Sequence, residues 1–244
     1  MFKTKVIAHR GFSGSYPENT MLAYEKAVEA GSDGIEMDIH LSRDGQVVIM
    51  HDADLSRTTN GSGLIQNYTV AQLKELDASA EFTGKYGRVQ IPTLEEYFDY
   101  IRSTDVVTNI EVKSEPGNFL EIEQKAVALV RRYRLEERII FSSFNHYSMV
   151  LCKKLAPEIA CGLLYGSAIA HPGSYARSFG VEYMHPAYTE LTPELVTDMK
   201  DSGVGINAWT INEEPDIRRF WELGIDGIIT NFPDRARRIV DAIG

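Results

Sequence analysis

Eight short apolar runs recur along this chain, and most are followed by a stretch with helical character. They are KVIAH (5–9), GIEMDIH (34–40), VVTNIEV (106–112), RIIFSS (138–143), ACGLLY (160–165), VEYMH (181–185), GINAWT (205–210) and DGIIT (226–230). Strands alternating with helices imply a parallel sheet, because a crossover helix returns the chain to the end where the previous strand began. With strand ends at residues 8, 38, 111, 142, 164, 185, 209 and 230, the successive spacings are 30, 73, 31, 22, 21, 24 and 21. Apart from the 73, these suit a repeated βα unit. No Gly-rich dinucleotide loop follows any strand, as one often does in an open nucleotide-binding sheet. The pattern therefore predicts an α/β fold, a closed (β/α)8 TIM barrel, and 244 residues suit one such barrel.

Helix signals support the repeat. TMLAYEKAVEAG (20–31) stops at Gly31, and FLEIEQKAVALVRRY (119–133) carries apolar residues at steps of three and four. TPELVTDMKDSG (192–203) opens well, with Thr192 as a cap, Pro193 at the first helical position and Glu194 in the first turn. EEPDIRRFWELG (213–224) and FPDRARRIVDAIG (232–244) complete the series. The long second spacing marks an insertion. It begins as a hairpin, IHLSRDGQVVIMHD (39–52), turning at Asp44-Gly45. The remainder, about 53–90, includes RTTNGSG and TVAQLKELDA. It has too little apolar content for an independent core, so the expectation is a single domain over 1–244 with a small lobe beside the barrel mouth.

A formal net charge of −10 argues against a nucleic-acid or anionic-membrane surface, which would need a basic footprint. No apolar run approaches the ~20 residues of a membrane span. MFKTKVIAHRG lacks the apolar core of a signal peptide, so a cytoplasmic location is expected. Cys152 and Cys161 have no zinc or disulfide spacing and read as small buried thiols.

In such barrels chemistry gathers at the C-terminal strand ends. There the first strand delivers His9 and Arg10, the second Glu36 and Asp38, the hairpin His51 and Asp52, and the third Glu111 and Lys113. His185, Trp209 and Asn231 follow on the last three strands. Residues two apart on a strand share a face, so Glu36 pairs with Asp38 and Glu111 with Lys113. If that face is the lumen, three carboxylates converge, and like charges in a low-dielectric pocket need a positive partner. One divalent cation is the simplest partner, and all-oxygen ligation favours Mg²⁺ or Ca²⁺. The plainer alternative is a structural network in which Arg10 and Lys113 neutralise the acids. His9 and His51 titrate near neutrality, so one suits removing a proton and the other supplying one. Arg10 offers a planar fork of donors and Lys113 a point charge for a phosphate. Together they suit displacement at a phosphodiester.

The order His9-Arg10-Gly11, PENT at 17–20, Glu36-x-Asp38, His51-Asp52 and Glu111-x-Lys113 resembles the glycerophosphodiester phosphodiesterases. AWTIN (208–212) and TNFPD (230–234) resemble that family's last two strand ends, so the likeness runs from residue 6 to 234 and includes the insertion. It implies metal-dependent hydrolysis of a small glycerophosphodiester to glycerol 3-phosphate and an alcohol. It further implies Glu36, Asp38 and Glu111 as ligands of Mg²⁺ or Ca²⁺, and His9 and His51 as acid and base. Arg10 and Lys113 would hold phosphate oxygens, and Glu18 and Asn19 would shape the loop behind the histidines. Phe144 and Trp209 are candidates to pack the glycerol carbons, and His185 is a candidate for the site. Asn231 reads as a partner for backbone groups, and His40, His146 and His171 as surface or structural. Attack by a neighbouring glycerol hydroxyl, through a cyclic phosphate, and direct attack by water both remain open. So do the roles of the two histidines, the identity of the alcohol, and whether the chain forms a homo-oligomer. The alternatives are a related barrel phosphodiesterase acting on lysophospholipids, which should need an exposed apolar rim, and a non-catalytic barrel that binds metal or phosphate.

Overall fold

The computed structural model describes residues 4–79, 82–114 and 120–244. Its strands are β1 (Lys5–Ala8), β2 (Gly34–Leu41), β3 (Val47–Ile49), β4 (Val107–Val112), β5 (Ile139–Ser143), β6 (Ala160–Tyr165), β7 (Tyr183–Pro186), β8 (Gly205–Ala208) and β9 (Gly227–Thr230). They form one sheet in the order β1-β9-β8-β7-β6-β5-β4-β2-β3. A further pairing of β1 with β2, Ile7 opposite Gly34, closes the ring. Eight parallel strands thus make the expected (β/α)8 barrel. β3 stands outside the ring as the antiparallel arm of the hairpin, with Leu41 opposite Val47 and Gly45 turning at φ +70°.

The helices are α1 (Met21–Glu29), α2 (Val70–Leu73), α3 (Leu94–Ile101), α4 (Glu121–Tyr133), α5 (His146–Leu155), α6 (Pro172–Phe179), α7 (Pro193–Asp201), α8 (Glu214–Glu222) and α9 (Pro233–Ile243). Thr192 caps α7 by accepting a hydrogen bond from the Leu195 amide, as its sequence suggests. Four of these helices, α2, α3, α5 and α6, have no counterpart in the sequence reading. For α3 the signal was present: Thr93 and Glu96 form a reciprocal capping box, a T-x-x-E pattern ahead of an apolar face.

Strand alternation sorts the chain into two regions. On β2, Ile35, Met37 and Ile39 point outward into the apolar layer shared with the helices, which also holds Tyr24, Tyr97, Phe98 and Phe141. Glu36 and Asp38 take the opposite face and line the lumen. The lumen is more polar than a packed barrel interior usually is. His185 fills space beside Gly162, where a Cβ would lie 2.5 Å from the imidazole Nε2. The insertion builds a small apolar cluster of its own, with Leu55, Ile65, Leu73, Ala78 and Ile91 packed on Val48 and Met50.

Cys152 and Cys161 are buried and unbonded, and burial pushes the Cys161 thiol up to about 12. Among the described residues, no helix is long and apolar enough to cross a membrane.

Phe98 sits wholly inside the layer between helices and barrel. Phe98→Ala is expected to lower unfolding stability by about 3–5 kcal/mol, read from urea denaturation, because the surrounding helices cannot collapse into the void.

Candidate active site

The first strand ends in a sharp left-handed turn. Arg10 adopts φ +54° and Gly11 φ +78°. A Cβ at Gly11 would lie 2.8 Å from the Ala23 carbonyl carbon, so only glycine lets the chain pass this close to α1. The turn aims the Arg10 amide at Glu36, whose Oε2 accepts its hydrogen at 2.8 Å. It also folds the Arg10 side chain back across the mouth, with Nη1 donating to Glu18 Oε1 at 3.1 Å and Nε 3.6 Å from Asp38 Oδ2. Asn19, also left-handed at φ +55°, donates from Nδ2 to Asp38 Oδ2 at 2.8 Å. Its own Oδ1 accepts from the Tyr24 hydroxyl at 2.9 Å. The PENT segment therefore holds both Arg10 and Asp38 from behind.

The carboxylates meet through strand register. β2 and β4 pair with Asp38 opposite Glu111 and Glu36 opposite Asn109. One oxygen from each of Glu36, Asp38 and Glu111 lies within 4.8 Å of the others, and all three residues are buried. Lys113 donates to Glu111 Oε1 at 2.5 Å and lies 2.9 Å from Asp38 Oδ1. Burial, reinforced by Asp38 and Glu111, pushes the Glu36 carboxyl well above the usual carboxylate range. Burial and Asp38 likewise raise Glu111 to about 7 against the pull of Lys113. For Asp38, burial is outweighed by Lys113 and Arg10, which hold its carboxyl well below that range. Burial first, and mutual repulsion second, thus favour the neutral form of two of the three acids. The donor set is all oxygen and suits a hard divalent cation rather than zinc.

The two imidazoles are held differently. His9 Nδ1 lies 2.7 Å from Asn231 Oδ1, an acceptor, so Nδ1 carries the proton and Nε2 keeps its lone pair. Nε2 is 3.9 Å from Glu36 Oε2. Burial, aided by Arg10, lowers the His9 pKa to about 4, so the ring is neutral near pH 7. His51 Nδ1 lies 2.5 Å from Asp52 Oδ1, a carboxylate able to steady a charged ring. The backbone carbonyl of His51 pairs with His40 Nε2 at 3.0 Å, which gives His40 a place just behind the site.

A cleft of about 60 Å³ is lined by His9, Arg10, Glu36, His51, Glu111, Phe144 and Trp209, with Asn109, Leu164 and Ile229. Phe144 and Trp209 meet edge to face at 5.7 Å, and half of Phe144 is open to solvent. A wider groove of about 260 Å³ beside it is shared by Lys113, His40 and Arg43. His185 lies elsewhere. It is fully buried below the mouth, 3.2 Å from Asn207 Nδ2, does not line the cleft, and meets it only through its carbonyl, which accepts from Trp209 Nε1. Asn231 goes beyond the backbone role expected of it, since its side chain orients His9 and also accepts from Ser13 Oγ at 3.2 Å. Little in the chain's local pattern signals this, because 222 residues separate the two partners. Asn109 and Arg57 are further residues at or beside the cleft that sequence reasoning passed over.

A barrel mouth that pairs cationic donors with crowded acids and two imidazoles belongs to an enzyme, and the class here is a phosphoric diester hydrolase. The chain belongs to the glycerophosphoryl diester phosphodiesterase family, whose model matches residues 9–235. A glycerophosphodiester phosphodiesterase of Caldanaerobacter subterraneus subsp. tengcongensis is 42% identical, with 98% of each chain covered. One from Bacillus altitudinis is 40% identical over 97% of this chain and 98% of its own. Among solved structures, an Oleispira antarctica phosphodiesterase in complex with the product sn-glycerol-3-phosphate superposes with a TM-score of 0.93 at 33% identity, covering 98% of each chain.

Gly11→Ala forces an L-residue into the left-handed region and against α1. The expected cost is about 1–3 kcal/mol of stability, measured by denaturant unfolding, with turnover reduced because Arg10 is displaced.

Proposed function

We propose that this enzyme hydrolyses glycerophosphodiesters to sn-glycerol 3-phosphate and an alcohol, with His9 and His51 moving the protons. In this reading Arg10 and Lys113 grip phosphate oxygens, and Glu36, Asp38 and Glu111 hold one Mg²⁺ or Ca²⁺. One observation carries the reading: both imidazoles and two of the three clustered carboxylates line the same small cleft. The product named for the Oleispira relative supports the glycerol 3-phosphate half of the substrate.

His9 is the base for the attacking oxygen. Its Nδ1 proton is committed to Asn231, so Nε2 is the free acceptor on a ring that burial keeps neutral. His51 is the acid. Its Nδ1 is committed to Asp52, so the proton given to the departing alkoxide leaves from Nε2; burial lowers the His51 pKa, and Asp38 and Asp52 oppose that shift. Arg10, with its amide fixed to Glu36 and its fork to Glu18, presents a preset guanidinium to the phosphate. Glu18 and Asn19 keep that frame rigid from behind. Phe144 and Trp209 form a corner of apolar surface suited to the three glycerol carbons. A cation held by the three carboxylates would offset phosphate charge during displacement. With the glycerol hydroxyl as nucleophile, a cyclic phosphate forms and the two rings exchange roles when water opens it. With water as nucleophile, one displacement suffices.

The test incubates purified protein with glycerophosphocholine, glycerophosphoethanolamine, glycerophosphoinositol and a lysophospholipid, with Mg²⁺, Ca²⁺ or chelator, and assays glycerol 3-phosphate. ³¹P NMR of the same reactions detects any cyclic phosphate. His9→Ala and His51→Ala are each expected to lose about 10²–10⁴-fold in kcat while melting like the parent. Full activity in both variants would remove the acid–base assignment. Exhaustive chelation is expected to stop turnover. Cation affinity by calorimetry should weaken as the pH falls from 8 to 6, because Glu111 takes up a proton near pH 7 and that proton competes with the ion.

A further inference from the structure

Arg57 belongs to the insertion, yet its guanidinium spans the barrel mouth. Nε donates to Asp52 Oδ2. Nη2 donates to Glu18 Oε1 at 2.7 Å and Nη1 to Glu18 Oε2 at 3.1 Å. Both carboxylates have a second duty. Asp52 uses Oδ1 to hold the His51 ring, and Glu18 Oε1 also accepts from Arg10 Nη1. The contacts form one continuous chain, His51–Asp52–Arg57–Glu18–Arg10.

We propose that Arg57 is a positioning residue that sets the separation between the His51 ring and the Arg10 guanidinium. The inference rests on the function proposed above and adds a residue that does not line the cleft but bonds two carboxylates beside it. The chemistry requires arginine. Its planar fork presents donors on three nitrogens in fixed directions, so one rigid group reaches two carboxylates at once. A lysine at this position is a single point charge and can neutralise both acids without fixing the angle between them.

The lobe's packing places the fork. Leu55 is fully buried in the lobe's apolar cluster, and the Thr59 hydroxyl donates to the Leu55 carbonyl at 2.7 Å. Thr58 and Thr59 are buried as well. Arg57 is thus carried on a short anchored turn and points out of it. Its side chain is 37% exposed, so its ion pairs add little to folding stability. Their effect falls on geometry, where a displacement of about 1 Å in a reacting group can cost on the order of 10²-fold in rate.

The experiment compares wild type, Arg57→Ala and Arg57→Lys by kcat, KM, melting temperature and the imidazole ¹H–¹⁵N NMR signals of His51. The expected result is a kcat lower by about 10–100-fold in Arg57→Ala, with a smaller change in KM and a melting temperature within a few degrees of wild type. Arg57→Lys should recover little of the loss, and the hydrogen-bonded Nδ1 proton of His51 should exchange faster in both variants. A kcat within twofold of wild type overturns the proposal, as does full rescue by lysine, which would reduce the residue to a charge. If Arg57→Ala does not fold, Arg57→Lys is measured in the same way, and a kcat within twofold of wild type again overturns the proposal. If wild type releases no glycerol 3-phosphate, the functional reading fails by itself. The His51 signal then decides the inference alone, and an unchanged signal in the variants overturns it.

Discussion

The charge balance at the barrel mouth constrains everything around it. Three buried carboxylates converge where water screens them poorly, and Asp38 and Glu111 stand on paired positions of neighbouring strands. Such crowding is costly unless cations accompany it. Arg10 and Lys113 neutralise Asp38 thoroughly, yet Glu36 and Glu111 still sit above their ordinary range. The two basic residues therefore fall one positive partner short of balance. In the proposed reading, a cation held by Glu36, Asp38 and Glu111 would supply that partner.

Alternation along each strand lets this arrangement coexist with a stable barrel. The same β2 segment supplies Ile35, Met37 and Ile39 to the apolar layer and Glu36 and Asp38 to the lumen. Stability and chemistry are thereby placed on opposite faces of one backbone, and a shift in register by a single residue would exchange them. The closing pair of β1 and β9, with Ala8 opposite Thr230, brings the two ends of the chain together. That closure is what sets Asn231 beside His9.

These two facts explain what the sequence could and could not disclose. Strand spacing made the closed parallel barrel legible, and the two-residue steps Glu36-x-Asp38 and Glu111-x-Lys113 disclosed which side chains share a face. Local chemistry disclosed the hairpin at Asp44-Gly45. Contacts between distant segments were not readable in the same way. Asn231 orients His9 across 222 residues, and Arg57 reaches Glu18 across 39. Neither pairing leaves a periodic trace. His185 shows the converse case. It ends a strand as the other site residues do, but its side chain lies a layer below the cleft against Asn207 and Gly162. Position at a strand end specifies a level along the barrel only to within a residue or two, and depth decides whether a side chain meets the ligand.

The two cleft histidines are alike in sequence and are distinguished by what holds their Nδ1 atoms. A neutral amide oxygen holds His9, while an ionised carboxylate holds His51. An amide acceptor fixes the tautomer but gives a protonated ring no full countercharge, and Arg10 alongside opposes its charging. Asp52 provides such a countercharge, and Arg57 and His51 keep its carboxyl ionised down to about pH 2 despite its burial cost. The imidazolium is therefore more costly at position 9 than at position 51. In the proposed mechanism this difference sets the resting state, with His9 neutral and His51 the ring better able to carry a proton, before any substrate arrives.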